Sequence, residues 1–293
     1  MTEHRAGRPA TDAEREAVRQ EAILLKAGAW ELIRRGFAED RHYLDAAEDQ
    51  LKQAEALCRS IGDGEGLVGI LGGRGAILRS SGEKDKILAA LSLYTEEVGL
   101  LADANREKEV AAYQSNVVMA YRDLATVDPE NALAYIGRGL DIGQTALAVS
   151  QRLADRGGMA QGSANLADLC VLLAEHDPDL TDNHLATAAT LYRTAEELWD
   201  GVDEDGLAMA RMGLAEVYIR LGRNFDGAEA LLDQAAETYR QRHGQPVAYQ
   251  LAQVHALRAR LREAQGRPED AAEERRQAAG LLERLGFGLG DHR

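Results

Sequence analysis

Acids and imidazoles crowd into one short stretch of this chain. Glu175, His176, Asp177 and Asp179 are followed closely by Asp182 and His184, and side chains of these types bind zinc or calcium. Their spacing fits neither an HExxH pair nor a calcium-binding loop. Asp177-Pro178 suits a turn and Asp182 suits the cap of the next helix, so no metal is expected. A second stretch collects Gly62, Gly64, Gly66, Gly69, Gly72, Gly73 and Gly75. It lacks the spacing of a phosphate-binding loop, and no strand precedes it. Glycine inside a helix costs up to about 1 kcal/mol relative to Ala. Close helix contact is the preferred reason to accept that cost. Approach of a ligand backbone is the alternative, and the same weakness makes this segment a candidate hinge. His42, His243 and His255 stand alone, with no Ser or Cys placed beside them in a nucleophile elbow. Cys58 and Cys170 belong to no CxxC pair and read as small buried thiols of a reducing compartment. Carboxylates are common along the helices, and many should pair one turn away, as Glu83 can with Lys86. The residues therefore predict no catalytic constellation and no cofactor.

What elements position these residues follows from composition. The 293 residues are 45% hydrophobic and 28% charged, with 5% aromatic residues and 5 Pro. That is too apolar for a disordered chain and too charged for a membrane protein. A core built from Ala, Leu, Val and Ile in an Ala/Leu/Glu/Arg-rich chain favours helices over strands. Acids outnumber bases, 49 to 34, for a net charge of −15. Such a chain repels phosphate backbones, and no basic stripe interleaved with aromatics offsets this, so nucleic acid is not an expected partner. The longest apolar run, Leu169 to Ala174, is too short to span a bilayer. Met1 to Ala10 has no apolar run of the secretory kind. The expectation is a soluble cytoplasmic protein without membrane contact.

A period organises the chain. A small residue, a large one four on and a small one three further recur as Ala47-Leu51-Ala54, Ala90-Tyr94-Glu97, Ala132-Ile136-Gly139, Ala188-Tyr192-Ala195, Ala228-Leu232-Ala235 and, weakly, Ala271-Arg275-Ala278. Successive first members lie 43, 42, 56, 40 and 43 residues apart. The 4-and-3 spacing makes one helical stripe whose small ends let a neighbouring helix approach. An amphipathic helix precedes each stripe. The pattern predicts helices over 11–36, 40–60, 64–80, 83–104, 105–125, 129–146, 148–175, 181–200, 204–222, 225–241, 246–265 and 268–285, paired as six hairpins. One domain over 11–285 is expected, with a disordered N-terminus at 1–10 and a flexible tail at 286–293.

The run Met212-Gly213-Leu214-Ala215 with Tyr218, Gly222, Ala228, Leu232 and Ala235 resembles a tetratricopeptide repeat. Asn116-Val117 with Tyr121, and Asn165-Leu166-Ala167, match the same pattern. Steps near 42 exceed the 34 usual for that family and are similar to kinesin-light-chain repeats and those of bacterial regulators. Glu97 replaces a small residue, and Arg275 replaces a large apolar one, as suits a terminal repeat. The resemblance implies an all-α, right-handed α-solenoid of about six hairpins, with the first helix of each pair lining a concave groove. It implies a non-catalytic scaffold for a protein or peptide. A regulator enclosing a small molecule or signalling peptide is the alternative, and an enzyme on a helical-repeat frame the third reading. Mapped onto this chain, the inner positions include Lys26, Trp30, Asn116, Met119, Arg122, Asn165, Asp168, Met212, Glu216 and Arg260. Asn116 and Asn165 either clamp a peptide backbone or only bridge helices. Met212 and Trp30 are expected to lean towards core packing. Self-association as a homodimer through the exposed faces of the end helices, 11–36 or 268–285, is a further expectation.

Overall fold

The structure is a computed structural model that describes residues 11–242 and 247–284. Expectations for 1–10, His243 and 286–293 fall outside the described residues. Thirteen α-helices are described. They are α1 (Asp12–Ala38), α2 (His42–Ile61), α3 (Gly64–Leu67), α4 (Ile70–Arg79), α5 (Lys84–Asp103), α6 (Glu107–Val127), α7 (Ala132–Arg152), α8 (Arg156–His176), α9 (Thr181–Trp199), α10 (Glu204–Arg220), α11 (Phe225–Arg240), α12 (Ala248–Ala264) and α13 (Pro268–Arg284). No strand occurs among the described residues.

Local chemistry fixes the helix ends. Thr11 accepts the Glu14 N–H at 3.2 Å while the Glu14 carboxylate accepts the Thr11 N–H at 2.6 Å, a reciprocal box that starts α1. Gly62 ends α2 in the left-handed conformation, with φ of 69°. Asp63 then caps α3 by accepting the Gly66 N–H at 3.0 Å.

Packing makes six hairpins: α1/α2, α4/α5, α6/α7, α8/α9, α10/α11 and α12/α13. The predicted stripes are the seams. Ala47, Leu51 and Ala54 are wholly buried, as are Ala228, Leu232 and Ala235. Each buried leucine of this kind contributes about 2 kcal/mol. Arg275 is exposed on the last helix. The first helices of successive hairpins also touch one another, α1 with α4, α4 with α6, then α8, α10 and α12 in turn. The second helices instead meet their own partner and the next first helix. First helices therefore close ranks on one side, which makes that side the concave wall of an all-α solenoid.

Two expected boundaries are corrected. The helix expected over 64–80 is broken at Val68-Gly69, where Gly69 takes a φ of 81°. The turn expected at residue 147 falls at 153–155 instead, because Ala154 adopts φ of 51° without being glycine. Asp182 is not a cap: α9 begins at Thr181, whose hydroxyl donates to the Ala174 and Asp177 carbonyls at 3.1 and 3.3 Å.

The glycine run proves to be a site of close packing. A Cβ on Gly72 would lie 2.7 Å from Glu97 Oε2, and one on Gly73 would lie 3.1 Å from Leu51 Cδ1. A Cβ on Gly75 would fall inside the Tyr94 ring. Glu97 fills the space these glycines leave. It is entirely buried and accepts the Gly69 N–H at 2.7 Å, capping the restarted helix. Burial pushes its pKa up against the pull of the Gly69 and Gly72 amides.

Candidate functional site

The concave wall carries two chains of ion pairs. In the first, Arg79 of α4 donates to Asp123 of α6 at 2.7 Å, and Asp123 also accepts from Arg122 at 2.9 Å. Arg122 reaches across to Asp168 of α8 at 2.7 Å, and Tyr192 of α9 donates its hydroxyl to the same carboxylate. Gly213 leaves room for that ring, since a Cβ there would collide with it. In the second chain Glu175 of α8 meets Arg220 of α10 at 2.5 Å. Arg220 meets Glu216 at 2.9 Å, and Glu216 accepts from Arg260 of α12 at 2.9 Å.

Electrostatics follow from this arrangement. Burial disfavours the Arg122 cation, but Asp168 and Asp123 outweigh it and raise its pKa. Burial also opposes ionisation of Glu216, yet Arg260 and Arg220 hold its carboxyl below the ordinary range. Tyr192 is pushed well up by burial and by the Asp168 charge. Arg122, Asp168, Glu216 and Arg260 are thus committed to their partners as ions, and Tyr192 as a neutral donor.

Between α6 and α8 the wall opens into a cleft of about 330 Å³. Small residues, among them Ala112, Gly157 and Gly158, line it together with Ser115, Asn116, Met119 and Gln161. Asn116 and Met119 are half-buried. Among the described residues no hydrogen bond engages the Asn116 side-chain amide, so a donor and an acceptor face the cleft free. Gln161 donates to Asn165 at 2.9 Å, and Asn165 is buried at 5% exposure.

The ten residues expected on the inner wall thus divide. Asn116 and Met119 line the cleft, and Asn165 backs it through Gln161. Arg122, Asp168, Glu216 and Arg260 are partners of one another or of their neighbours in the ion chains. Met212 is buried at 8% exposure and receives the Tyr239 hydroxyl at 3.9 Å, so it is core rather than wall. Trp30 departs from the core expectation: it is 44% exposed, held on one side against Gly73. Lys26 reaches the Val68 carbonyl at 3.4 Å across the break between α3 and α4.

Gln161, Arg79, Asp123 and Arg220 were missed at the level of sequence, and Glu175 and Tyr192 were read there in other roles, as a candidate metal ligand and a seam residue. A signal existed for some of them. Arg79–Asp123, Arg122–Asp168 and Arg260–Glu216 are separated by 44, 46 and 44 residues. Opposite charges one repeat apart on first helices would have marked them.

The other candidate chemistry resolves into structure. His184 lies 3.2 Å from Asp177 within the turn, and His255 lies 2.6 Å from Glu274. Cys58 and Cys170 are buried and unpaired, with pKa values raised by burial. Glu83 pairs with Lys86 at 2.7 Å as expected. No described helix is long and apolar enough to cross a membrane.

No family model matches the chain, and no curated protein matches it. Among solved structures, BtubC (BKLC) from P. vanneervenii is similar, with a TM-score of 0.52 at 16% identity over 94% of this chain and 95% of that one. At that identity the likeness carries the fold, a solenoid of helical repeats of the tetratricopeptide-like kind.

Proposed function

We propose that this chain is a non-catalytic scaffold that holds an extended segment of a protein or peptide in its concave groove. Repeat steps near 42 residues support a likeness to the kinesin-light-chain type of repeat. One observation carries the reading: the α6–α8 cleft, whose small side chains admit a backbone and whose Asn116 amide is free to bond one. Its lining holds no cationic side chain and one acid, Asp155, which Lys108 meets at 3.4 Å, so a neutral stretch of main chain is favoured over an anion there. The ionised side chains of the inner wall are engaged with each other, which supports holding over catalysis. The test is selection from a random peptide display library against the full chain, followed by calorimetry on the enriched peptides. Asn116→Ala should weaken binding by about tenfold, the worth of one or two hydrogen bonds. Enriched peptides that ignore Asn116→Ala, or no enrichment at all, would remove the reading.

A second reading is favoured by the break at Val68-Gly69. Beside it α1, α2 and α3 enclose an open pocket of about 300 Å³ lined by Ile23, Lys26, Asp63 and Gly66. A small molecule seated there would act on the only described first-of-pair segment that is split in two. A thermal shift with a metabolite panel tests it, since a ligand of the native state raises the melting temperature.

A further inference from the structure

The first and last described helices of the solenoid are finished differently. A terminal repeat needs a polar outer face, because no neighbour covers it. The last helix has one: Glu273, Arg275, Arg276 and Gln277 are all exposed on α13. The first helix mixes polar residues with apolar ones. Ile23, Ala27, Trp30 and Phe37 are all exposed on α1, and Leu24 beside them is 73% exposed.

These residues belong to a longer order. Glu16, Gln20, Ile23, Ala27, Trp30 and Arg34 follow one another at alternating steps of four and three, and every one of them is exposed. That is the spacing of a seam between two paired helices. The seam is also complementary to itself when reversed. A two-fold axis through residue 25 sets Glu16 opposite Arg34, Ile23 opposite Ala27 and Gln20 opposite Trp30. It also sets Ala13 opposite Phe37. Acid then faces base at both ends, and each large apolar residue faces a small or flexible one.

We propose that α1 is an isologous dimer interface, on which the α1 of a second copy of this chain lies antiparallel. The helix of 27 residues offers a contact about 40 Å long. Glu16 and Arg34 now hold only exposed neighbours on their own helix: Arg19 at 2.9 Å and Gln20 at 2.8 Å for Glu16, and Glu31 at 2.6 Å for Arg34. Pairs of this kind are weakly held and exchange readily. In the dimer Trp30 belongs to the contact between copies, and the α6–α8 cleft stays free. The proposal therefore stands or falls separately from the peptide-holding reading.

Light scattering on the full chain provides the test. The expected mass is twice the 31.8 kDa of one chain. Ala27→Glu should give the single-chain mass with unchanged helical circular dichroism, and Trp30→Ala should weaken the dimer should that variant fail to fold. Glu16→Arg alone or Arg34→Glu alone should raise the dimer Kd by about tenfold or more, because each sets like charges face to face. The two together should restore it to within about threefold. A single-chain mass up to the solubility limit would overturn the proposal. So would a dimer indifferent to Ala27→Glu, or charge reversals whose effects simply add. Asn116→Ala should leave the dimer intact.

Discussion

The first two hairpins and the later four solve one packing problem by different means. In α1–α5 the inner seam closes chiefly by backbone proximity, through glycines that admit Leu51, Tyr94 and the buried carboxyl of Glu97, with Arg74 bridging Glu48 and Glu55 of α2 beside it. From α6 onward helices are tied across the wall by ions, Arg122 to Asp168 and Glu216 to Arg260. The glycine contacts of the first depend on fit and are insensitive to salt. The second adds charge to such contacts, Gly213 against Tyr192 among them, and the cleft at Asn116 opens beside its ion chains. A repeat architecture thus fixes where helices go and leaves open what holds them.

Substitutions can break this contrast. The largest effect is expected from Glu97→Ala, which leaves a cavity and unpaired amides at Gly69 and Gly72, costing about 3–5 kcal/mol. Glu97→Gln keeps the acceptor and should stay within about 1 kcal/mol of the parent. Amide hydrogen exchange should place the Glu97→Ala loss in α3–α5. Loss spread evenly over the chain would contradict the local account. Next comes Gly75→Ala, whose methyl meets the Tyr94 ring, at about 1–3 kcal/mol by thermal unfolding.

Arg122→Ala should cost less, about 1–2 kcal/mol, since its side chain is one-third exposed and its partners regain water. Its distinguishing mark is salt. In concentrated salt the difference between Arg122→Ala and the parent should shrink, while that of Gly75→Ala should persist.

The smallest effect sharpens the contrast through pH. Glu97 has a raised native pKa, so the folded state holds its proton longer than the unfolded one. Its contribution is full below the ordinary glutamate value near 4.5 and is lost as pH climbs through the raised value. Glu216 has a lowered native pKa, so its contribution is present above that ordinary value and is lost as pH falls through the lowered one. Protection in α4–α5 should therefore decline on the alkaline side and protection in α10–α12 on the acid side. Titration in the same direction in both regions would refute the pairing of cause and place.

The sequence made the seams legible, since Ala228-Leu232-Ala235 and its fellows combine size and spacing that only a helix pair uses. Turns were legible where glycine marks them, as at Gly62. They were hidden where Ala154 does glycine's work, and the break at Gly69 was hidden because it sits among glycines that read as helical. Met212 was readable as core from its type. Trp30 was not, because a tryptophan's exposure depends on which neighbour covers it, and among the described helices α1 packs chiefly against α2, α3 and α4. The ion chains were hidden for another reason. Charges abound on every helix, and only the repeat step says which of them meet.

The α6–α8 cleft as a seat for an extended backbone is tested most directly by the side-chain amide of Asn116. In a nuclear magnetic resonance titration with a display-selected peptide, the Asn116 and Gln161 side-chain NH2 signals should shift together and saturate with the calorimetric Kd. Saturating shifts confined to the second helices of the hairpins, with Asn116 unmoved, would contradict it.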